Sequence, residues 1–298
     1  MAKYRVLIDE TGTISSDDVD QQYGFGFCVF ESNAGLAQLE TRLRTAFPDS
    51  FHLKEIRKQR KVRKSAKLMA LLDEPHQVLG GAFIFSEPRS CRDKKYELLA
   101  HPEKLVEKLG QEHFDAFDGV LKETIDLFPL RSDGLLHPED MLDGVMAMRF
   151  AEVYVNAAVI PIISLNEHFE DIDIEEVVVS VAQVAEKRSF FERIGGTADT
   201  IEAGVTELYQ NFVLKGITNP PKTRQHVRFE FTDSSVATPL FWYADLFAGV
   251  GDHYFRYTED NSHSLGEELY AVVRDVFSVL PRVANQRILE KGIYISDG

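Results

Sequence analysis

Four carboxylates from separated segments of this 298-residue chain, Asp9, Glu55, Asp233 and Asp245, are of the type that could meet around a cation. Asp9 ends the apolar run VLIDETG (residues 6–12), with Glu10 beside it. An acid there is either a cap for the turn at Thr11-Gly12 or a ligand, and these residues taken alone read as the cap. Asp245 poses the sharper question. It stands in FWYADLFAGVGDHYF (241–255), where its helical i±3 and i±4 neighbours are Phe241, Trp242, Ala248 and Gly249. A lone buried carboxylate is costly and needs a partner. No basic residue follows until Arg256, so the partner must be a distant side chain, backbone donors or a metal. Asp252 lies two helical turns further along the same face. Asp233 follows a strand in FTDSS, where a turn or cap is the simpler role. In FHLKEI, His52 and Glu55 are three apart and share a face if a helix starts there.

The elements that must position these groups alternate between strand and helix. YRVLID (4–9), YGFGFCVF (23–30), QVLGGAFIF (77–85), EEVVVSVAQV (175–184) and HVRFEFT (226–232) read as five strands. On the first, Arg5, Leu7 and Asp9 share one face and Tyr4, Val6 and Ile8 the other. Leu36, Leu39, Leu43 and Phe47 repeat at helical spacing over 34–47. The basic segment runs into AKLMALLDE as a second helix stopped by Pro75. TADTIEAGVTELYQNFVLKG reads as another helix, and Thr238-Pro239 is a cap and first-turn signal for a long helix through about Tyr257. Residues 87–170 read as a helical insertion in a single domain spanning 1–298. In open α/β sheets functional groups lie beyond the carboxyl ends of strands, where Asp9 falls if its strand is central.

Charge is segregated. The net charge is −15, yet residues 54–67, KEIRKQRKVRKSAK, hold Lys54, Arg57, Lys58, Arg60, Lys61, Arg63, Lys64 and Lys67 against the single acid Glu55. Such a segment either steers a polyanion to one face or is a solvated helix face. The two cysteines, Cys28 and Cys91, suggest a reducing compartment rather than a disulfide framework. The N-terminus enters a strand without an apolar signal core, and the longest apolar stretch, VYVNAAVIPIIS, is short of the ~18–20 residues of a membrane helix and contains Asn156 and Pro161. A soluble cytoplasmic protein without membrane contact is expected.

The order of the acids, one on the first strand, others at later element ends and one on the C-terminal helix, matches a ribonuclease-H-like arrangement. There, carboxylates hold Mg²⁺ or Mn²⁺, hard cations that prefer oxygen ligands, and the metals activate water and stabilise the leaving oxygen in phosphodiester cleavage. IDETG, HLKEI, TDSS and ADLFAG together resemble the Domain of Unknown Function 3800 family, whose members look like ribonuclease-H-type proteins. The resemblance runs in order from residue 8 to about 257, through short motifs. It implies site roles for Asp9 and Glu10 from the opening motif, Glu55 from the middle one, and Asp233 and Asp245 from the closing pair. Three positions depart from the family's pattern. Thr11 replaces the usual Ser and keeps the hydroxyl, Trp242 replaces a Gln beside Asp245, and the fourth strand has Ser180 and Gln183 where an acid is common, with Glu186 the nearest carboxylate.

The expectation is a ribonuclease-H-like α/β fold, a mixed five-stranded sheet flanked by helices, acting as a divalent-metal-dependent nuclease. Asp9, Glu55, Asp233 and Asp245 would form the site, supported by Glu10, His52, Lys54, Glu186 and Asp252. Lys54 would neutralise the scissile phosphate. Arg57, Lys58, Arg60, Lys61, Arg63, Lys64 and Lys67 would hold DNA or RNA by contacts that carry no base information. Two other readings stand beside it. One is a non-catalytic scaffold binding nucleic acid or, through the insertion, a partner protein; the other is a hydrolase of a small phosphate ester.

Overall fold

The computed structural model describes residues 2–12, 20–33, 35–72, 79–88, 161, 174–183, 226–233, 238–260, 265–277 and 286–296. Strands β1 (Ala2–Gly12), β2 (Asp20–Glu31) and β3 (Leu79–Pro88) form an antiparallel meander. On the far side of β1 lie β4 (Ile174–Gln183) and β5 (His226–Asp233), each parallel to its neighbour. β6 (Gln286–Glu290) and β7 (Ile293–Ser296) form a hairpin whose second strand runs parallel to β3. Among the described residues the result is a seven-stranded mixed sheet in the order β5-β4-β1-β2-β3-β7-β6, with β2 in the middle and β1 an interior strand between β4 and β2.

All five expected strands are present, and the sheet exceeds the five-stranded expectation by the terminal hairpin. That hairpin comes from QRILEKGIYIS, where Lys291-Gly292 turns between two short alternating runs. Gly292 also accepts a hydrogen bond from Ala82 N (2.8 Å), which ties the turn to β3.

Among the described residues the helices packed with the sheet are α1 (Gly35–Ala46), α2 (Lys58–Met69), α3 (Phe241–Asp260) and α4 (Gly266–Val273). As the spacing predicts, α1 buries Leu36, Leu39 and Leu43, with Phe47 just beyond, in one cluster with Leu7, Cys28 and Phe30 of the sheet. Each such side chain contributes roughly 1.5–3 kcal/mol of burial. The expected stop of α2 at Pro75 is corrected, because the helix ends at Met69. Tertiary donors replace the next helical turn. Tyr243 Oη donates to Leu68 O (3.1 Å) and Arg42 Nη2 to Leu71 O (3.0 Å), while Leu71 N and Leu72 N close tighter turns onto Leu68 O and Met69 O.

α3 crosses β1, β2 and β3 on the face shared by Leu7 and Asp9. It lies unusually close, because the strand residues beneath it are small. A Cβ added at Gly26 would stand 2.1 Å from Ala248 N and 2.2 Å from Ala244 O, and one at Gly80 would meet the Phe247 ring at 2.3 Å. The opposite face buries Val6, Ile8 and Phe27, with Phe25 and Phe83 stacked at 5.3 Å between ring centroids. The expected helical insertion (87–170), the expected TADTIEAGVTELYQNFVLKG helix and Glu186 lie outside the described residues, apart from Pro161 and from Glu87 and Pro88, which belong to β3.

Gly26→Ala should therefore destabilise the fold by about 3 kcal/mol, since backbone rather than a mobile side chain must move. Urea denaturation monitored through Trp242 fluorescence checks this; a loss under about 1 kcal/mol would mean that α3 can lift without cost.

Candidate functional site around Asp245

Asp245 is placed by the start of α3. Thr238 Oγ1 accepts the hydrogen bond of Leu240 N (3.1 Å) and donates to Glu40 Oε1 on α1 (2.9 Å), so the helix begins where the Thr-Pro signal predicts. One turn later Asp245 emerges between buried Ala244 and Leu246. Its neighbour Trp242 packs edge-on against Phe47, with ring centroids 5.9 Å apart, so the indole at the departing position serves the apolar seam.

The partner that the lone carboxylate requires comes from the HLKE segment. Leu53 N donates to Asp245 Oδ2 at 2.7 Å. Gly249, one helical turn on, makes room for this, since a Cβ there would lie 2.5 Å from Leu53 Cδ2. The small residue thus seats Leu53 and brings its amide onto the acid. The segment is a single 3-10 turn, Leu53–Glu55, in which Glu55 N donates to His52 O (3.1 Å). His52, Lys54 and Glu55 are exposed around it.

Asp245 titrates far from an ordinary carboxylate. Burial is the largest cause and lifts its pKa from 3.8 to about 6, aided by the nearby Glu55 charge. The Leu53 hydrogen bond, His52 and Lys61 pull in the other direction without cancelling the rise. Lys61 reaches inward from α2, its Nζ 3.0 Å from His253 Nε2 on α3. An ammonium only donates, so Nε2 accepts and the imidazole proton lies on Nδ1. Burial lowers the Lys61 pKa, while Asp252 and Asp245 oppose that shift. Asp252 itself is paired with Arg256 Nη2 at 3.1 Å along α3.

Asp9 sits in β1 opposite Gly26, the strand position that Ala244 and Ala248 overlie. Asp9 therefore lies beneath the turn of α3 that carries Ala244 and Ala248, whereas Asp245 and Gly249 face the 3-10 turn. The buried Cys28 thiol records this: burial raises its pKa, the Ala244 backbone lowers it and the Asp9 charge raises it. Asp9 Oδ1 accepts from Glu10 N (2.9 Å), a local contact within the strand, and the turn expected at Thr11-Gly12 is corrected, since both residues still pair with β2. Glu10, one residue on, lies on the other face of β1. Asp233 ends β5, two strands from β1, and its side chain lies outside the described residues. Among the described residues no three His, Cys, Asp or Glu form a group able to hold a metal ion.

The basic segment is divided by its contacts. Lys61 faces α3, and Lys67 Nζ donates to Ala46 O (2.7 Å) while covering the Phe47 ring at 4.8 Å. Arg57, Lys58, Arg60 and Arg63 are exposed, and Lys64 is half-buried. Arg57, Arg60 and Lys64 line a cleft of about 370 Å³ together with His52 and Glu55.

Two features escape sequence reasoning. His253 becomes visible only when α2 and α3 are packed together. Glu230 on β5 accepts from the buried Ser180 Oγ at 2.6 Å, so a carboxylate from the next strand stands against the position where an acid was expected. The alternation of HVRFEFT concealed it as an outward-facing strand residue. No protein-family model matches the chain, and no curated protein matches it significantly. Among the described residues no helix is long and apolar enough to cross a membrane.

The raised Asp245 pKa has a signed consequence. Between about pH 4 and pH 6 the folded state holds a proton that the unfolded state has released, so stability falls as pH rises through that window, by roughly 2–3 kcal/mol. Asp245→Asn keeps an acceptor for Leu53 N and removes the charge. In EDTA it should be more stable than wild type at pH 7 and flat across the window, and Lys61→Met should move the wild-type midpoint upward. Urea melts from pH 4 to 8 test both; an Asn variant that is less stable at pH 7 would show the carboxylate to be well compensated.

Proposed function

We propose that this protein is a divalent-metal-dependent nuclease with a ribonuclease-H-like architecture. The observation that carries the reading is Asp245, a half-buried carboxylate held near pKa 6, facing the turn that opens the basic helix. Its high proton affinity marks a negative charge that its surroundings do not neutralise at pH 7. Oxygen donors of this kind fit a hard cation such as Mg²⁺ or Mn²⁺. Asp245 and Asp9 would hold it, with Asp233 and Glu55 completing the ligand set. The cation would supply an activated water and charge stabilisation on the leaving oxygen of a phosphodiester.

The chain's own groups divide the remaining work. Leu53 N fixes one Asp245 oxygen and leaves the other available. Lys61, reaching inward from α2, is better placed than the exposed Lys54 to offset charge near Asp245. The outward arginines and lysines of α2 would hold the strand backbone. The fold supports the architectural part of this reading: the acid-bearing β1 is an interior strand between β4 and β2, and the last acid lies on the helix after β5. The four short motifs keep the resemblance to the Domain of Unknown Function 3800 family as part of the proposal.

A second reading, a non-catalytic scaffold that binds nucleic acid, draws on the lack of a three-ligand group among the described residues. Titration calorimetry with Mn²⁺ separates the two. Wild type should bind, and Asp9→Asn and Asp245→Asn should each lose at least tenfold in affinity. Cleavage of single strands, duplexes and hybrids should fall in parallel. No heat from wild type, with or without a phosphorothioate oligonucleotide, would establish the scaffold.

A further inference from the structure

The cleft at the start of α2 is a built cavity that the carboxylates do not use up. Arg57, Arg60 and Lys64 line it from one stripe of the helix, and Ser50 and His52 line it from the preceding loop. Among the described residues these three cations form no ion pair. Ser50 is held in the left-handed region at φ 66°, with its N–H on Phe47 O (3.2 Å). A side-chain-bearing residue held in that conformation costs on the order of 1 kcal/mol or more, and such strain collects at binding sites. Asp49 and Glu55 line the same cleft, so its wall is mixed rather than uniformly basic.

A polyanion gripped by field alone suits a uniformly basic surface. A mixed wall suits a small ligand that carries a compact anion and hydroxyl donors together. Two arginine forks are matched to a tetrahedral phosphate, and carboxylates accept from sugar hydroxyls. Beside this cleft lies a second, of about 510 Å³, which shares Asp49, Ser50 and Lys64 and adds the apolar Ala46, Phe47 and Pro48 together with Arg63 and Lys67. That lining suits a base or the body of a sugar. We propose that the first cleft binds a phosphomonoester and the second takes the nucleoside attached to it. A strand terminus and a free nucleotide both carry this chemistry. The strand-terminus source rests on the nuclease reading above; the phosphomonoester site does not.

The test is fluorescence anisotropy in EDTA with a dye-labelled hexanucleotide carrying a terminal phosphate, against the same strand ending in hydroxyls. Wild type should prefer the phosphorylated strand on the order of tenfold. Arg57→Ala/Arg60→Ala should erase that preference, bringing the phosphorylated strand down to the affinity of the hydroxyl-ended one, while both strands lose the share of affinity that comes from backbone contacts. Lys64→Ala serves as a second, independent variant, and circular dichroism confirms that both are folded. Competition by adenosine monophosphate below millimolar concentration assigns the site to free nucleotides; competition only by the phosphorylated strand assigns it to strand ends. Equal binding of both strands together with no competition by the nucleotide overturns the proposal. Because Asp245→Asn should keep the phosphate preference, a failed Mn²⁺ titration with that preference intact would sink the metal reading alone.

Discussion

The close seating of α3 on the sheet is the constraint on which the remaining structure depends. Helices normally ride on a layer of strand side chains, but here Gly26, Gly80 and Ala82 leave backbone beneath Ala244, Ala248 and Phe247. The gain is dense packing across β1 to β3. The same approach fixes where the acids stand. Asp9, near the end of an interior strand and across from Gly26, lies beneath Ala244 and Ala248, and Asp245 leaves the same helix toward Leu53. Gly249 repeats the device on the outer side of α3, where the missing side chain admits Leu53. Three absent side chains thus set the position of one charged group.

That group is maintained against stability. A carboxylate placed among Ala244, Leu246 and Ala248 and given one backbone donor is under-compensated, and its raised pKa expresses this. Its electrostatic neighbours arrive from two elements, His52 and Glu55 on the 3-10 turn and Lys61 on α2, and Lys61 in turn meets Asp252 and His253 of α3. Proteins keep such arrangements where function needs them, because an apolar or amide residue would fold better. The contrast with Asp252 is instructive. Asp252 is paired within its own helix to Arg256, a direct ion pair one turn on.

Sequence reading reaches those parts whose signals are local. Alternation exposes the first five strands, helical spacing exposes α1, and Thr238-Pro239 marks the turn that leads into α3, two residues before its first residue Phe241. The isolation of Asp245 also follows from its neighbours, and so does its need for a partner. The partner's identity does not, because Leu53 is recruited through its amide and a gap at Gly249, neither of which has a side-chain signature. The end of α2 is illegible for a similar reason: Tyr243 and Arg42 supply tertiary donors to carbonyls that a longer helix would have satisfied. Lys61 and Lys67 look like the other basic residues in sequence, and packing alone separates the inward pair from the outward ones. The β6–β7 hairpin is too short for its alternation to stand out.

α2 is fastened through carbonyl oxygens and inward side chains: Ala46 O receives Lys67, Leu68 O receives Tyr243, Leu68 is buried, and His253 receives Lys61. None of these attachments uses Arg57, Lys58, Arg60 or Arg63. The helix is therefore a fixed ruler whose outer markings are independent of its mounting. From Arg57 to Lys64 those markings span about 10 Å by the ~1.5 Å helical rise. Mutation can rewrite the outward face, in charge, size or order, while the mounting stays intact, so ligand preference can drift in a lineage without a passage through unfolded intermediates.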